Sequence, residues 1–217
     1  MRRLNQAERV ELSDRRMINT AIRLIVSQGI NGMKLTDVGL RSGYSRGLAA
    51  MRFGTKAGLL SRVARHAFSG WITRITNATG GKTGLDAVFA AIDTQSQWVA
   101  EEPEEMRALY LIFFHSIDPS AEYHLDVAKR LAAQRRDLAR WILEARNRGE
   151  VDPQANPNEE AEQILSGMLG IVYQSLMDRA LPAQRLHAKL KADLRRRLLQ
   201  APERHSGRVR TRTMARG

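Results

Sequence analysis

The 217-residue chain contains no cysteine, which excludes disulfides, thiolate metal sites and cysteine nucleophiles, and suits a reducing compartment. It contains no apolar run of 18 residues, so no membrane span is predicted. Its opening, MRRLNQAERVELSD, has no apolar stretch behind the basic residues and is not read as a secretory signal. A cytoplasmic location is the resulting expectation. Aromatics make up only 6% of the chain and point to no particular ligand class. Catalytic patterns are missing as well. There is no G-x-S-x-G or H-E-x-x-H, and the histidines, at 66, 115, 124, 187 and 205, form no pair at helical metal-site spacing. GGKTG, within residues 77–84, shares letters with a phosphate-binding loop but lacks the first glycine at the required spacing and a preceding strand. Neither enzyme, metal nor cofactor is predicted.

What the chain does have is positive charge, unevenly placed. Residues 1–66 hold 13 Lys and Arg against 4 Asp and Glu, while residues 67–200 hold 17 against 18. Residues 201–217 hold 5 against 1. A basic lobe on a neutral body is the electrostatic footprint of a protein that touches a polyanion with one end.

The periodicity is helical throughout. Residues 1–12 are polar without a stripe and are read as a mobile basic arm, with Arg2, Arg3 and Arg9 available to DNA. Ser13 is placed as the cap of a first helix carrying Met17, Ile18, Ala21, Ile22, Leu24 and Ile25 on its apolar face and ending at Gly29. Two short helices follow in LTDVGLRSGYSRGLAAMRFGTKAGLL, residues 35–60. Val38, Leu40 and Leu48 are spaced to point inward, Gly43 permits a sharp turn, and Ser45 is placed as the cap of the second short helix. Gly39 within the first costs about 1 kcal/mol of helix propensity, unless it allows a close approach. Two short helices joined by a turn of three or four residues with glycine describe a helix-turn-helix. Thr55 caps a further helix running to about Trp71.

Residues 77–84 read as a flexible connection, and residues 85–200 as a larger helical domain. Asn158 is placed as a cap there. The following helix, with Ile164, Leu165, Met168, Leu169, Ile171, Val172, Leu176 and Met177, is apolar over more than one face and must be covered on two sides. Gly167 and Gly170 allow close approach, and a second subunit could supply the second cover. Residues 201–217 carry no stripe and are expected to be disordered.

The run GYSRGLAAMRFGTKAGLL resembles the end of the TetR-family DNA-binding domain, G-V/Y-S-x-G followed by an aromatic patch and F-x-S/T-K-x-x-L-L. Arg16, Ala21, Gly29 and Val38 agree upstream, so the resemblance covers roughly residues 13–71. It implies an all-α protein, with a three-helix DNA-binding domain over residues 13–71 and a ligand-binding and dimerisation domain over residues 85–200. It further implies a homodimer joined through the last two helices, double-stranded DNA as partner, and a small-molecule inducer. Candidate DNA-binding residues are Lys34, Thr36, Ser45, Arg46, Gly47, Met51, Arg52 and Lys56. Ala50 and Arg52 depart from the aromatic and the histidine usual in the family, so the contact pattern should differ. Candidate pocket residues are Trp98, Tyr110, Phe114, His115, Tyr123, Met168 and Tyr173, because clefts between bundle helices favour apolar walls with few polar groups. The leading reading is a ligand-responsive repressor. A constitutive or architectural DNA-binding protein is the alternative, and an enzyme on a helical scaffold lacks converging polar groups.

Overall fold

A computed structural model describes residues 5–199. Arg2, Arg3 and the tail 201–217 lie outside them. Nine helices make up the described residues: α1 Gln6–Gly32, α2 Leu35–Arg41, α3 Leu48–Phe53, α4 Lys56–Thr79, α5 Gly84–Glu101, α6 Pro103–His115, α7 His124–Asn147, α8 Pro157–Met177 and α9 Ala183–Leu199. No described helix is long and apolar enough to cross a membrane.

Several boundaries differ from the sequence reading. Residues 6–12 are the opening turns of α1, not an arm. Asn5 and Glu8 form a capping box. The Glu8 N–H donates to Asn5 Oδ1 at 2.8 Å, and the Asn5 N–H donates to Glu8 Oε2 at 2.7 Å. Ser13 lies inside the helix and its hydroxyl donates back to the Val10 carbonyl. A reciprocal cap starts a helix without an apolar stripe, so periodicity alone missed it. Gly29, at φ 72°, does break the helical run. α4 continues eight residues past Trp71 and ends at Gly80 in the left-handed region, which shortens the connection to Gly80–Thr83. Asn156, one turn position before Pro157, caps α8 in place of Asn158 by accepting from its N–H.

Two apolar cores result. The first joins α1, α2, α3 and the N-terminal half of α4 around Met17, Ile25, Met33 and Leu59, and continues without a break into α6 through Met106 and Ile112. The second gathers α5, α7, α8 and α9 around Ile92, Ile142, Ile164 and Leu198. α4 spans both. Leu59, Leu60 and Val63 belong to the first, and Ile75 packs on the second. The central helix of the body is α5. Its first N–H groups, of Gly84 and Leu85, donate to Glu144 in the last turn of α7 and to Glu150 in the turn that follows it.

Candidate nucleic-acid interface and interior cavity

The helix-turn-helix is held by a backbone contact that only glycine allows. A Cβ on Gly39 would stand 2.4 Å from the Ser45 carbonyl oxygen, so α2 and the turn before α3 meet main chain to main chain. Gly43, at φ 85°, reverses the chain between them. Val38, Ala49 and Phe53 are buried beneath. Leu40 is not, being 47% exposed, because it sits two positions from Val38 on a helix and therefore faces the other way. Ser45 does not cap α3 with its side chain. The helix begins at Leu48 with Gly47 in the cap position, and Ser45 and Arg46 form the exposed turn before it.

The outer surface of this unit presents Lys34, Thr36, Ser45, Arg46, Gly47, Ala50 and Met51, with Met51 74% exposed. Arg41, in the last turn of α2, joins them and was not singled out from the sequence. Lys34, Arg41 and Arg46 make no ion pair among the described residues. Arg52 and Lys56 are placed differently. Arg52 Nε donates to Asp14 Oδ1 at 2.9 Å, and a second guanidinium nitrogen reaches the Val10 carbonyl. Arg62 of α4 meets the other oxygen of Asp14 at 3.5 Å. Asp14 thereby ties α3 and α4 to α1. Lys56 Nζ donates to the Asn31 carbonyl at 3.0 Å, where α1 ends. Both cations brace the unit internally, a use that residue type alone does not reveal.

The predicted pocket residues do not converge on one cavity. Tyr110, Phe114 and Tyr173 meet in a groove of about 290 Å³ on the outer surface of α6 and α8, with Phe114 and Tyr173 edge to face at 5.2 Å. His115 is exposed at the end of α6, not in the core, and its Nδ1 shares a hydrogen bond of 2.6 Å with the Tyr123 hydroxyl. Burial holds the Tyr123 phenol protonated, with a pKa pushed up to about 12. Trp98 is buried, stacks on Trp71 at 5.9 Å and donates its N–H to Glu105 at 3.1 Å. Glu105 in turn faces His66 at 3.9 Å, beside a polar cleft bordered by Arg15 and Arg23 of α1.

Met168 alone of the set lines an interior cavity of about 30 Å³ between α4, α5, α7 and α8. Its other walls include Trp71, Leu138 and Trp141, and its polar groups are Gln95, Gln134 and Asp137. Behind Gln95 lies His187, the buried histidine of the body. Its Nδ1 lies 2.8 Å from the Ala183 carbonyl and its Nε2 3.0 Å from the Gln95 side chain. Burial lowers the pKa of this imidazole below its ordinary 6.5, so the ring is neutral at pH 7. One signal for this floor was in the sequence: Thr94, Gln95 and Ser96 fall within a run of five polar residues, 93–97, that spans every side of a helix whose first half is largely apolar, and these three are buried.

The sequence matches no family model and no curated protein, and the likeness to known proteins is carried by the backbone. A transcriptional regulator from Saccharomonospora viridis in complex with choline superposes with a TM-score of 0.77, over 88% of this chain and 99% of that one, at 16% identity. A TetR regulator from Chloroflexus aurantiacus gives a TM-score of 0.74 over 88% and 98% of the two chains at 18% identity. The complex of SmeT with triclosan gives 0.70 over 85% and 90% at 17% identity. SmeT is the repressor of a multidrug efflux pump of Stenotrophomonas maltophilia. With nine helices in the described residues and a helix-turn-helix at one end, the chain has the fold of the TetR-family transcriptional regulators.

Proposed function

We propose that the protein is a ligand-responsive transcriptional repressor that binds a palindromic operator as a homodimer. The observation that carries this reading is the group of exposed, unpaired cations, Lys34, Arg41 and Arg46, around the small and flexible surface of Gly47, Ala50 and Met51. Cations left unpaired on a rigid helix-turn-helix are suited to phosphates, and Arg46 also stands where its guanidinium can reach a guanine edge in the major groove. Thr36 and Ser45 add hydroxyls for the backbone. Arg52 and Lys56 serve by fixing the orientation of α3 and α4.

The homodimer is read through the last two helices. α8 uses one side for its own protomer, where Gly167 lets Leu190 of α9 approach to 3.2 Å of a would-be Cβ. Its other side leaves Tyr173 and Met177 exposed, Met177 at 72%, with Gly170 open beside them. On α9, Leu194 and Leu198 are buried and so are used within the protomer. The outer face of α8 is therefore the apolar surface that a second subunit would cover, with the groove of Phe114 at its edge.

Ligand response follows from where the cavity lies. Trp71 and Ile75 of α4 form one wall, and the same helix carries the core of the DNA-binding unit at its other end. The cavity is too small for more than a couple of water molecules. A ligand that enters must move α4 or α7. It acts on DNA affinity by as much as it prefers the widened state. The chain Trp71–Trp98–Glu105–His66 offers a packed route from that wall to the cleft with α1. A constitutive architectural protein has no need of a cavity against this helix.

The test is binding of the purified protein to duplexes from the DNA flanking its own coding sequence, titrated across salt against an unrelated duplex. Preference for one flanking duplex that persists as salt rises is the expected outcome. Equal and steeply salt-dependent binding to all duplexes would reduce the reading to phosphate attraction, and no binding at low salt would end it.

A further inference from the structure

The cavity between α4, α5, α7 and α8 has a chemistry that selects the charge of its ligand. Among the described residues no lysine or arginine lines it, and the ionisable group they contribute is the Asp137 carboxylate at the mouth. Trp71 and Trp141 contribute indoles, whose faces attract cations. Trp141 already attracts one, since the Arg140 guanidinium lies 5.4 Å from its ring centroid. Arg140 also holds Asp137 at 3.4 Å, but it has a second and closer partner in Glu144 at 3.1 Å. An incoming cation can therefore take Asp137 while Arg140 keeps a counter-ion.

The inner end of the cavity is set by hydrogen-bond logic. The Ala183 carbonyl can only accept, so Nδ1 of His187 must carry the ring proton. Nε2 of the neutral ring is then an acceptor, and because Gln95 Oε1 at 3.0 Å cannot donate to it, hydrogen bonding assigns the Gln95 amide turned over, with its nitrogen toward the ring. This leaves the Gln95 carbonyl oxygen as the atom turned away from His187, on a side chain that lines the cavity. The floor offers an acceptor, the walls include two indoles and the mouth offers a carboxylate.

We propose that the effector is a small organic cation with an apolar body, an alkyl- or aryl-ammonium compound, and that anions are excluded. This rests on the reading of the body as an effector-binding domain, but its test needs no DNA. The full-length protein is titrated with phenyltrimethylammonium, its uncharged isostere tert-butylbenzene, and benzenesulfonate. Binding is followed by calorimetry and by tryptophan fluorescence, since two of the three tryptophans line the cavity. The cation is expected to bind roughly tenfold more tightly than the neutral isostere, with the sulfonate weakest. Asp137→Asn, at an exposed position, is expected to remove most of that preference while leaving the neutral compound unchanged. Equal affinity for cation and isostere, tighter binding of the sulfonate, no cation binding, or an Asp137→Asn variant with its preference intact would each overturn the assignment. A protein that binds the cation selectively yet binds no operator would keep this inference and lose the repressor reading.

Discussion

The two ends of the molecule treat their cations differently. In the body, carboxylates balance the arginines and lysines in number, 18 against 17 over residues 67–200, and several meet directly: Arg74 meets Glu101, Arg140 meets Asp137 and Glu144, Lys191 meets Asp93, and Arg197 of α9 meets Glu160 of α8, while Lys129, Arg130, Arg135 and Arg136 of α7 make no ion pair among the described residues. At the helix-turn-helix, Lys34, Arg41 and Arg46 stand exposed with no ion-pair partner among the described residues, while the half-buried Arg52 and the exposed Arg62 share Asp14. Exposed pairs stabilise little, so the body's pairing is mainly local neutralisation. The unpaired cluster is different, because it leaves a concentrated positive potential that a polyanion can discharge by releasing counter-ions. The difference teaches that the protein's basic balance is a property of one surface, not of the chain.

The largest expected effect comes from removing a cation on the unpaired side. Arg46→Ala should weaken operator binding by about 1–3 kcal/mol if the guanidinium reads a base edge. If it touches only phosphate, the salt slope should fall by about 0.9 with uniform loss across sequences. Arg74→Ala, which breaks an ion pair in the body, is the control and should leave DNA affinity within about twofold. Fluorescence anisotropy on a labelled duplex measures both. Equal losses from the two variants would erase the contrast between the ends.

A smaller effect sharpens the same contrast from inside. Asp14→Asn releases Arg52 and Arg62 together, since the one carboxylate holds both. Stability should fall by about 1 kcal/mol, as for a partly buried pair whose members keep some water. Non-specific DNA affinity at low salt should rise, because two guanidiniums become available. Preference for the operator should fall, because α3 loses its tie to α1. Denaturant unfolding and competition between specific and random duplexes separate these outcomes. Tighter specific binding would mean that Arg52 belongs on the DNA after all.

What the sequence made legible follows the same division. The helix-turn-helix was readable because its determinants are local. Gly43 at a positive φ, Val38 and Phe53 in the core, and Thr55 accepting from the Gly58 N–H all lie within a few residues of what they control. Gly39 was readable as an exception, and the structure supplies the reason: at 2.4 Å from a backbone oxygen, a methyl group has nowhere to go. Arg52 was not readable, because its partner Asp14 lies 38 residues away on another helix. The pocket candidates scatter for the same cause. Tyr110 and Phe114 belong to an outer groove, while Gln95 and His187 meet across 92 residues. Helical period tells which side of a helix is apolar, and a helix with two apolar sides leaves open which one faces a cavity. The start of α1 carries no apolar period, and its determinant, the pairing of Asn5 with Glu8, is local but polar.

The smallest expected effect is a pH dependence that belongs to the body alone. His187 is buried against Gln95 and the Ala183 carbonyl, and burial lowers its pKa below the ordinary 6.5. The hydrogen bond to the Ala183 carbonyl, and then the charge of Asp93, oppose this shift without reversing it. The unfolded chain therefore takes up a proton at this site at higher pH than the folded one. Between the two pKa values the unfolded state holds more protons, so stability rises with pH there. The contribution is complete above about pH 6.5 and is lost as pH falls toward the lowered folded value. Urea unfolding between pH 5 and about pH 7.5 should show this slope, and His187→Gln should flatten it. DNA affinity per folded molecule should not follow the same curve, since His187 lies in the body, away from the cations of the helix-turn-helix. A parallel loss of operator affinity over the same window would show that protonating this site reaches α4 through the cavity wall. The two ends would then be coupled through Gln95, with the acid form of the protein imitating the state that a bound cation stabilises.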